Sequence, residues 1–343
     1  MLELDRIICG DCLEIMKEIP DKSIDLVLAD PPYFNIMKED WTRKKYEWDA
    51  QWETLDHYLA WINDLGKEIK RVLKPNGSFY IFADDKNSAY VQTTLDKSFH
   101  LENSITWVKP NNMTIKGWTG YRSYAPITER ILFYSNETEK TDLQEIYESP
   151  DCFRTIKEYM RGEREKIIEH NGFKTQEKFN QYINKVTNTA SVVSRHYFPD
   201  SQWVFPTKEI YALLQTTGFF GREYEDLRRE YEDLRRPFCQ KTNFTDVWTF
   251  SITGGAERVN HPTQKPLSLI SRIVETSTRE NGVILDPFMG SGTSAVAAKR
   301  AGRHFIGIEL SPEYCEIARK RVAAVPRRLD SFFPRHPEED ARP

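Results

Sequence analysis

Short apolar runs alternate along this chain with stretches whose apolar residues recur at helical spacing, the pattern of strands and helices in turn. Ile7, Ile8 and Cys9 predict a strand that turns at Gly10-Asp11 into a helix over 13–19. Ile24, Leu26, Val27, Leu28 and Ala29 predict a buried strand. It must stop at Asp30, because Pro31 and Pro32 have no N–H to give to a ladder. Leu55, Leu59, Ile62, Leu65, Ile69 and Leu73 mark a helix, and Lys74-Pro75-Asn76-Gly77 ends it. Strands follow over 78–83, 104–108 and 130–134, with a helix over 89–96 between the first two. Toward the other end, strands over 282–285 and 304–309 alternate with helices over 294–301 and 312–322, the last opened by Ser311.

Between 137 and 244 this alternation breaks, and Asn, Gln, Lys and aromatic residues dominate, so the segment reads as an inserted domain. Within it, 175–183 predicts a helix capped by Thr175, and 188–197 a second helix after a break at 184–187. Two helices joined this way loosely resemble a helix-turn-helix. The near-even balance of basic and acidic residues over 151–241 gives that reading no basic stripe. Arg222-Glu223-Tyr224-Glu225-Asp226-Leu227-Arg228 recurs unchanged at 229–235. Tyr224, Leu227, Tyr231 and Leu234 then form one apolar seam on a charged helix, better suited to internal packing than to a coiled coil. The seam also leaves room for a homodimer. From 326 onward the chain is Arg-, Pro- and acid-rich with little to bury and reads as a disordered tail. The expected organisation is therefore 1–136, an insertion at 137–244, a return to the sheet at 245–325, and a tail at 326–343.

Composition narrows the class. The 343 residues are 39% hydrophobic, with no apolar run near the length of a membrane span. The acidic start suits no signal peptide, so the expected location is the cytoplasm with no membrane partner. Cys9 and Cys12 form a Cys-x-x-Cys, but no second Cys or His pair follows at zinc spacing, and no metal is expected. The net charge of −4 decides nothing about nucleic acid, because local patches and not totals do the binding. One such patch is Arg43-Lys44-Lys45, in a loop over 34–52 that also holds Trp41, Trp48 and Trp52.

Two loops carry candidate chemistry. Asp30-Pro31-Pro32-Tyr33 places a carboxylate, two rigid residues and a ring at the carboxyl end of a strand, the edge where open α/β sheets bind ligands. Asp286-Pro287-Phe288-Met289-Gly290-Ser291-Gly292-Thr293 is a glycine-rich turn from strand to helix. It lacks the lysine of a nucleotide-hydrolysing phosphate loop. Glu309, at the end of the next strand, is suited to accept hydrogen bonds from the two hydroxyls of a ribose. The expectation is that both loops meet in one active site.

These motifs, with His261-Pro262-Thr263-Gln264-Lys265-Pro266, Gly307-Ile308-Glu309 and Ile8-Cys9-Gly10-Asp11-Cys12-Leu13, resemble the S-adenosylmethionine-dependent DNA amino-methyltransferases of the β type. The resemblance covers about 4–135 and 245–323. It implies a Rossmann-like α/β fold, with a seven-stranded, mostly parallel sheet and a mainly helical inserted recognition domain. It places Asp286, Phe288, Gly290, Gly292 and Thr293 in the cofactor loop, Glu309 on the ribose and Asp11 near the adenine. Thr263 and Lys265 would hold the methionine end of S-adenosyl-L-methionine. Asp30, Pro31, Pro32 and Tyr33 would act on the target base. The implied reaction is methylation of adenine N6 in a specific sequence of double-stranded DNA. Cytosine N4, an RNA adenine or a non-catalytic DNA-binding subunit are the alternatives, and a cognate restriction endonuclease is a possible partner. Arg43, Lys44 and Lys45 would contact the DNA backbone.

Overall fold

The computed structural model describes residues 3–34, 52–110, 127–136, 153–199, 203–238 and 245–326. Arg43, Lys44 and Lys45, and the tail beyond 326, lie outside these residues. The chain divides into two compact units, Met1–Thr138 with Pro237–Pro343, and Glu139–Arg236.

The first unit is built on one sheet. Its strands are β1 (Arg6–Cys9), β2 (Ile24–Ala29), β3 (Leu73–Ala83), β4 (His100–Val108), β5 (Thr128–Ser135), β6 (Val247–Thr249), β7 (Val283–Asp286) and β8 (His304–Glu309). They lie in the order β1-β8-β7-β2-β3-β5-β4-β6. Every pair is parallel except those that β5 makes with β3 and β4. Among the described residues the sheet thus has eight strands and not the expected seven. The addition is β6, three residues long, which pairs with β4 through Thr106↔Val247 to Val108↔Thr249.

Alternation along the central strands sorts side chains onto two faces. Val27, Ala29, Phe79, Ile81, Leu132 and Tyr134 face α1 (Cys12–Met16), α2 (Leu55–Val72) and α3 (Ser88–Leu95). Leu26, Leu28, Tyr80, Phe82, Ile131 and Phe133 face the other side. There they meet α9 (Leu267–Ser277), α10 (Thr293–Arg300) and α11 (Pro312–Ala324). Both faces are dry, so a slip of one residue in register would exchange the two sets and is strongly disfavoured. Apart from Asp25, which bonds Lys74 and Val283 N–H, β2 is buried on both faces, which explains why it reads as a nearly continuous apolar run.

Strand order places the site. From β2 the chain moves on to β3 on one side, and from β7 to β8 on the other. β2 and β7 are neighbours, paired at Leu26↔Ile284 and Val27↔Leu285. The crevice beyond their carboxyl ends is the switch point at which such sheets bind ligands. Asp30 and Asp286 stand at its two sides.

Among its described residues the second unit packs five helices around its own core: α4 (Arg154–Asn171), α5 (Gln176–Val186), α6 (Val192–His196), α7 (Lys208–Gln215) and α8 (Tyr224–Leu234). Thr175 caps α5 by accepting from Lys178 N–H at 3.4 Å. α6 has only five residues, so the expected second helix is too short for the recognition helix of a helix-turn-helix. The repeat forms α8, and its seam points inward. Leu227 is fully buried, and Tyr231 stacks on Phe153 and Phe205 at 4.8 and 4.5 Å. That face is spent largely on the unit's own core.

Candidate active site

β2 delivers Asp30, and Pro31 ends the ladder with its ring buried. The loop is pinned from its far end, where Asn87 Nδ2 donates to the Phe34 carbonyl at 3.0 Å. Asp84 at the end of β3 orients that asparagine, accepting from its backbone N–H and its side chain at 3.2 and 2.9 Å. Tyr33 folds back so that its Oη donates to Asp30 Oδ1 at 3.0 Å and lies 3.5 Å from Glu129 Oε2.

The other Asp30 oxygen accepts from Lys265 Nζ at 2.6 Å. Lys265 is also 3.7 Å from Glu129 Oε2, and its ammonium lies over the rings of Phe82 and Tyr33 at 5.0 and 5.7 Å. Lys109 Nζ bonds Glu129 Oε1. Two lysines and two carboxylates therefore alternate in a charge-balanced row. Burial pushes the Asp30 carboxyl above its ordinary value, against the pull of Lys265. For Glu129 burial acts the same way but is outweighed by Lys265 and Lys109, which hold it below the usual range. Burial opposes the Lys265 charge, yet Asp30 and Glu129 hold its pKa above normal. Burial, then the charges of Asp30 and Glu129, keep Tyr33 a neutral phenol and hence a donor.

The glycine turn forms the opposite wall. Gly290 and Gly292 have φ of +50° and +84°, and Gly292 N–H donates to Met289 O at 2.8 Å. Asp286 stabilises the turn by accepting from Ser294 Oγ and, at 2.9 Å, from Phe288 N–H. Burial raises its pKa to about 7 despite those bonds. Glu309 accepts from Gly290 N–H at 2.7 Å through one oxygen and from Ser311 N–H at 2.8 Å through the other. Burial raises its pKa against these backbone bonds.

Asp30, Thr263, Lys265, Asp286, Phe288, Gly290 and Thr293 all line one cleft of about 420 Å³, counting its open mouth. The expectation that the two loops share a site is met. Asp11 and Glu309 are outside that lining but close to each other in the sheet, since Cys9 pairs with Glu309 and Gly10 N–H donates to Glu309 O. Asp11 caps α1 through Leu13 N–H and Glu14 N–H, the ordinary work of an aspartate at a helix start. Lys265 departs furthest from expectation, because its ammonium is engaged by Asp30 rather than left free for a cofactor carboxylate.

Several site residues escaped the sequence reading. Glu129 and Lys109 carry no motif and reach the site only through strand pairing. Arg321 on α11 reaches the glycine turn, donating to Ser291 O and Oγ at 2.7 and 2.9 Å and to Thr293 Oγ1 at 3.2 Å. Gln264 sits inside a quoted motif, yet its work is local: its amide bonds Glu257 O and Val259 N–H, both at 2.9 Å, closing the loop that presents Lys265.

A three-layer α/β sheet with a glycine turn and a carboxylate facing each other at the switch point is the kind of crevice in which such sheets bind nucleotides. The fold is shared with PvuII DNA methyltransferase (cytosine-N4-specific), at a TM-score of 0.52 and 15% identity over 92% of this chain and 85% of that one. The family profile described as DNA methylase, of the N6 and N4 class, matches residues 24–320, and the chain belongs to that family. Curated relatives include the Type II methyltransferase M1.MboII of Moraxella bovis, 28% identical over 92% of this chain and 95% of the relative. The Type II methyltransferase M2.LlaDCHI of Lactococcus lactis subsp. cremoris is 27% identical over 91% and 87%. The protein is thus a DNA methyltransferase, and S-adenosyl-L-methionine is the methyl donor of that family. The residues fit that group: Glu309, beside the cleft, has oxygens able to accept from its hydroxyls, and the positive-φ turn allows close backbone approach. No described helix is long and apolar enough to cross a membrane.

Proposed function

We propose that this DNA methyltransferase modifies the N6 amino group of an adenine turned out of the duplex, within a short specific sequence. The observation that carries the reading is the position of Asp30, across one cleft from the cofactor turn and beside the Tyr33 ring. An exocyclic amine has its lone pair drawn into the base and is a poor nucleophile. The Asp30 carboxylate and the Pro31 carbonyl suit its two amino protons, favouring a tetrahedral nitrogen, and the help is greatest in the transition state. Bound S-adenosyl-L-methionine would supply a methyl on a sulfonium, the N–C bond forming as the C–S bond breaks and its electron pair leaves on sulfur. The nitrogen would then lose one amino proton, through the Asp30 carboxylate to solvent, and return to neutrality. Extruding the base costs a few kcal/mol. Stacking on Tyr33 returns about 1–3 kcal/mol of it.

The Asp-Pro-Pro-Tyr form favours adenine over cytosine. Glycine-turn residues and Glu309 would hold the nucleoside part of the cofactor, with Thr263 at the methionine end and Asp11 near the adenine. The helical unit would recognise the sequence, and Arg43, Lys44 and Lys45 would meet the DNA backbone. The relatives' designation as Type II methyltransferases supports a restriction-modification setting with a cognate endonuclease, in the cytoplasm. Sequencing modified bases in DNA from cells expressing the protein tests this reading. N6-methyladenine in one recurring context is the expected result, whereas N4-methylcytosine, or methylation of RNA alone, would overturn it.

A further inference from the structure

We propose that Glu129 is a positioning residue for methyl transfer, sharing the Lys265 ammonium with Asp30 so that Asp30 keeps the capacity to accept hydrogen bonds from the target amine. The inference rests on the reading of Asp30 given above.

The side chains of Lys109, Glu129, Lys265 and Asp30 are 14%, 17%, 10% and 26% exposed. In such surroundings a lone carboxylate takes up a proton. A protonated Asp30 would present a donor where the amine needs an acceptor. Lys265 prevents this, but an ammonium held wholly by Asp30 would saturate the oxygens that the amine must use. Glu129 supplies the second pole. Its Oε2 lies 3.7 Å from Lys265 Nζ and 3.5 Å from Tyr33 Oη, so it draws on both groups that occupy Asp30. Lys265 first, with Lys109 beside it, holds Glu129 ionised, so Glu129 keeps its charge when Lys109 alone is removed. The other titratable groups facing Asp30 are the Asp286 carboxyl from the end of β7 and the Tyr58 phenol from α2. Arg130, beside Glu129 on β5, is directed to Asp85 at 3.6 Å and to Thr106.

The two outer members of the row act on Asp30 with opposite sign. Glu129→Gln removes a negative charge and lets Lys265 close on Asp30, which makes Asp30 less basic. Lys109→Met removes a positive charge and leaves Glu129 to compete harder for Lys265, which makes Asp30 more basic. The test is the pH dependence of kcat for the full chain on duplex DNA at saturating cofactor, whose acid limb reports ionisation of Asp30. For Glu129→Gln the limb should move down by about one pH unit and the plateau fall roughly 10- to 100-fold, with cofactor KM within about threefold. Lys109→Met should move the limb up, and Glu129→Asp should restore it toward wild type.

Limbs that stay in place, or move together, would overturn the proposal. If Glu129→Gln fails to fold in a thermal scan, Lys109→Met carries the test alone, and an unmoved or lowered limb there overturns it. Asp30→Ala is the control. Turnover retained in that variant would remove the reading of Asp30 itself, whereas a dead Asp30→Ala with unmoved limbs in the others removes only the role of Glu129.

Discussion

Lys265 Nζ and Asp30 Oδ2 meet at 2.6 Å although 235 positions separate them in the chain. The contact joins the strand that carries the base-directed loop to the segment that leads into α9, and it is mostly shielded from water. Removing one member of such a pair leaves an uncompensated charge, a loss of about 3–5 kcal/mol. Lys265→Met should therefore lower stability by about 3 kcal/mol, and Asp30→Asn in the same chain should recover much of it. Urea denaturation of the two single variants and the double one measures the coupling, and strictly additive losses would show that the pair is not coupled.

The glycine turn is held by shape. Gly292 has φ +84°, and a Cβ there would lie 2.8 Å from Ala318 Cβ and 3.0 Å from its Cα on α11. Left-handed strain and overpacking together predict that Gly292→Ala costs about 2–4 kcal/mol. Because the same turn lines the cofactor side of the cleft, affinity for S-adenosyl-L-methionine should also fall by about tenfold, or ~1.4 kcal/mol. Calorimetric titration would show it, and wild-type affinity would mean that the turn gives way without moving the site.

Two groups near the cofactor side give opposing pH terms. Burial raises Asp286 from 3.8 to about 7, so it binds its proton more tightly folded than unfolded. Its contribution to stability is full below its unfolded value and is lost as pH rises through about 7. His261 moves the other way, from 6.5 to about 4, through burial and the charges of Lys265 and Arg321. It contributes stability above 6.5 that is lost as pH falls through about 4. Asp286→Asn removes only the first term. Its stability should climb more steeply with pH than that of wild type across the interval from about 4 to 7, and parallel denaturation curves would contradict the assignment.

What could be read from the sequence was whatever local pattern determines. All seven expected strands are present, because apolar runs cut by Pro, Gly and Asp carry their boundaries with them. The order of the motifs placed Asp30 and Asp286 at neighbouring strand ends. β6 was not legible, since three residues around Trp248 make a strand only by pairing with β4. α9 was missed although Leu269, Ile270, Ile273 and Val274 do recur at helical spacing. Its start after Pro266, with no side-chain cap, gave no punctuation to mark it. The contact of Lys265 with Asp30 was not legible, because sequence shows a residue's type and not what it touches. Glu129, Lys109 and Arg321 reached the site by tertiary contact alone, and no spacing announces them.

Single-turnover transfer of a tritiated methyl group to duplex DNA, at saturating cofactor, tests most directly whether Asp30 acts on the base. The protein should label adenine N6, and Asp30→Ala should slow the transfer at least ~100-fold while binding S-adenosyl-L-methionine within a few-fold of wild type. Transfer by Asp30→Ala at the wild-type rate would contradict the account.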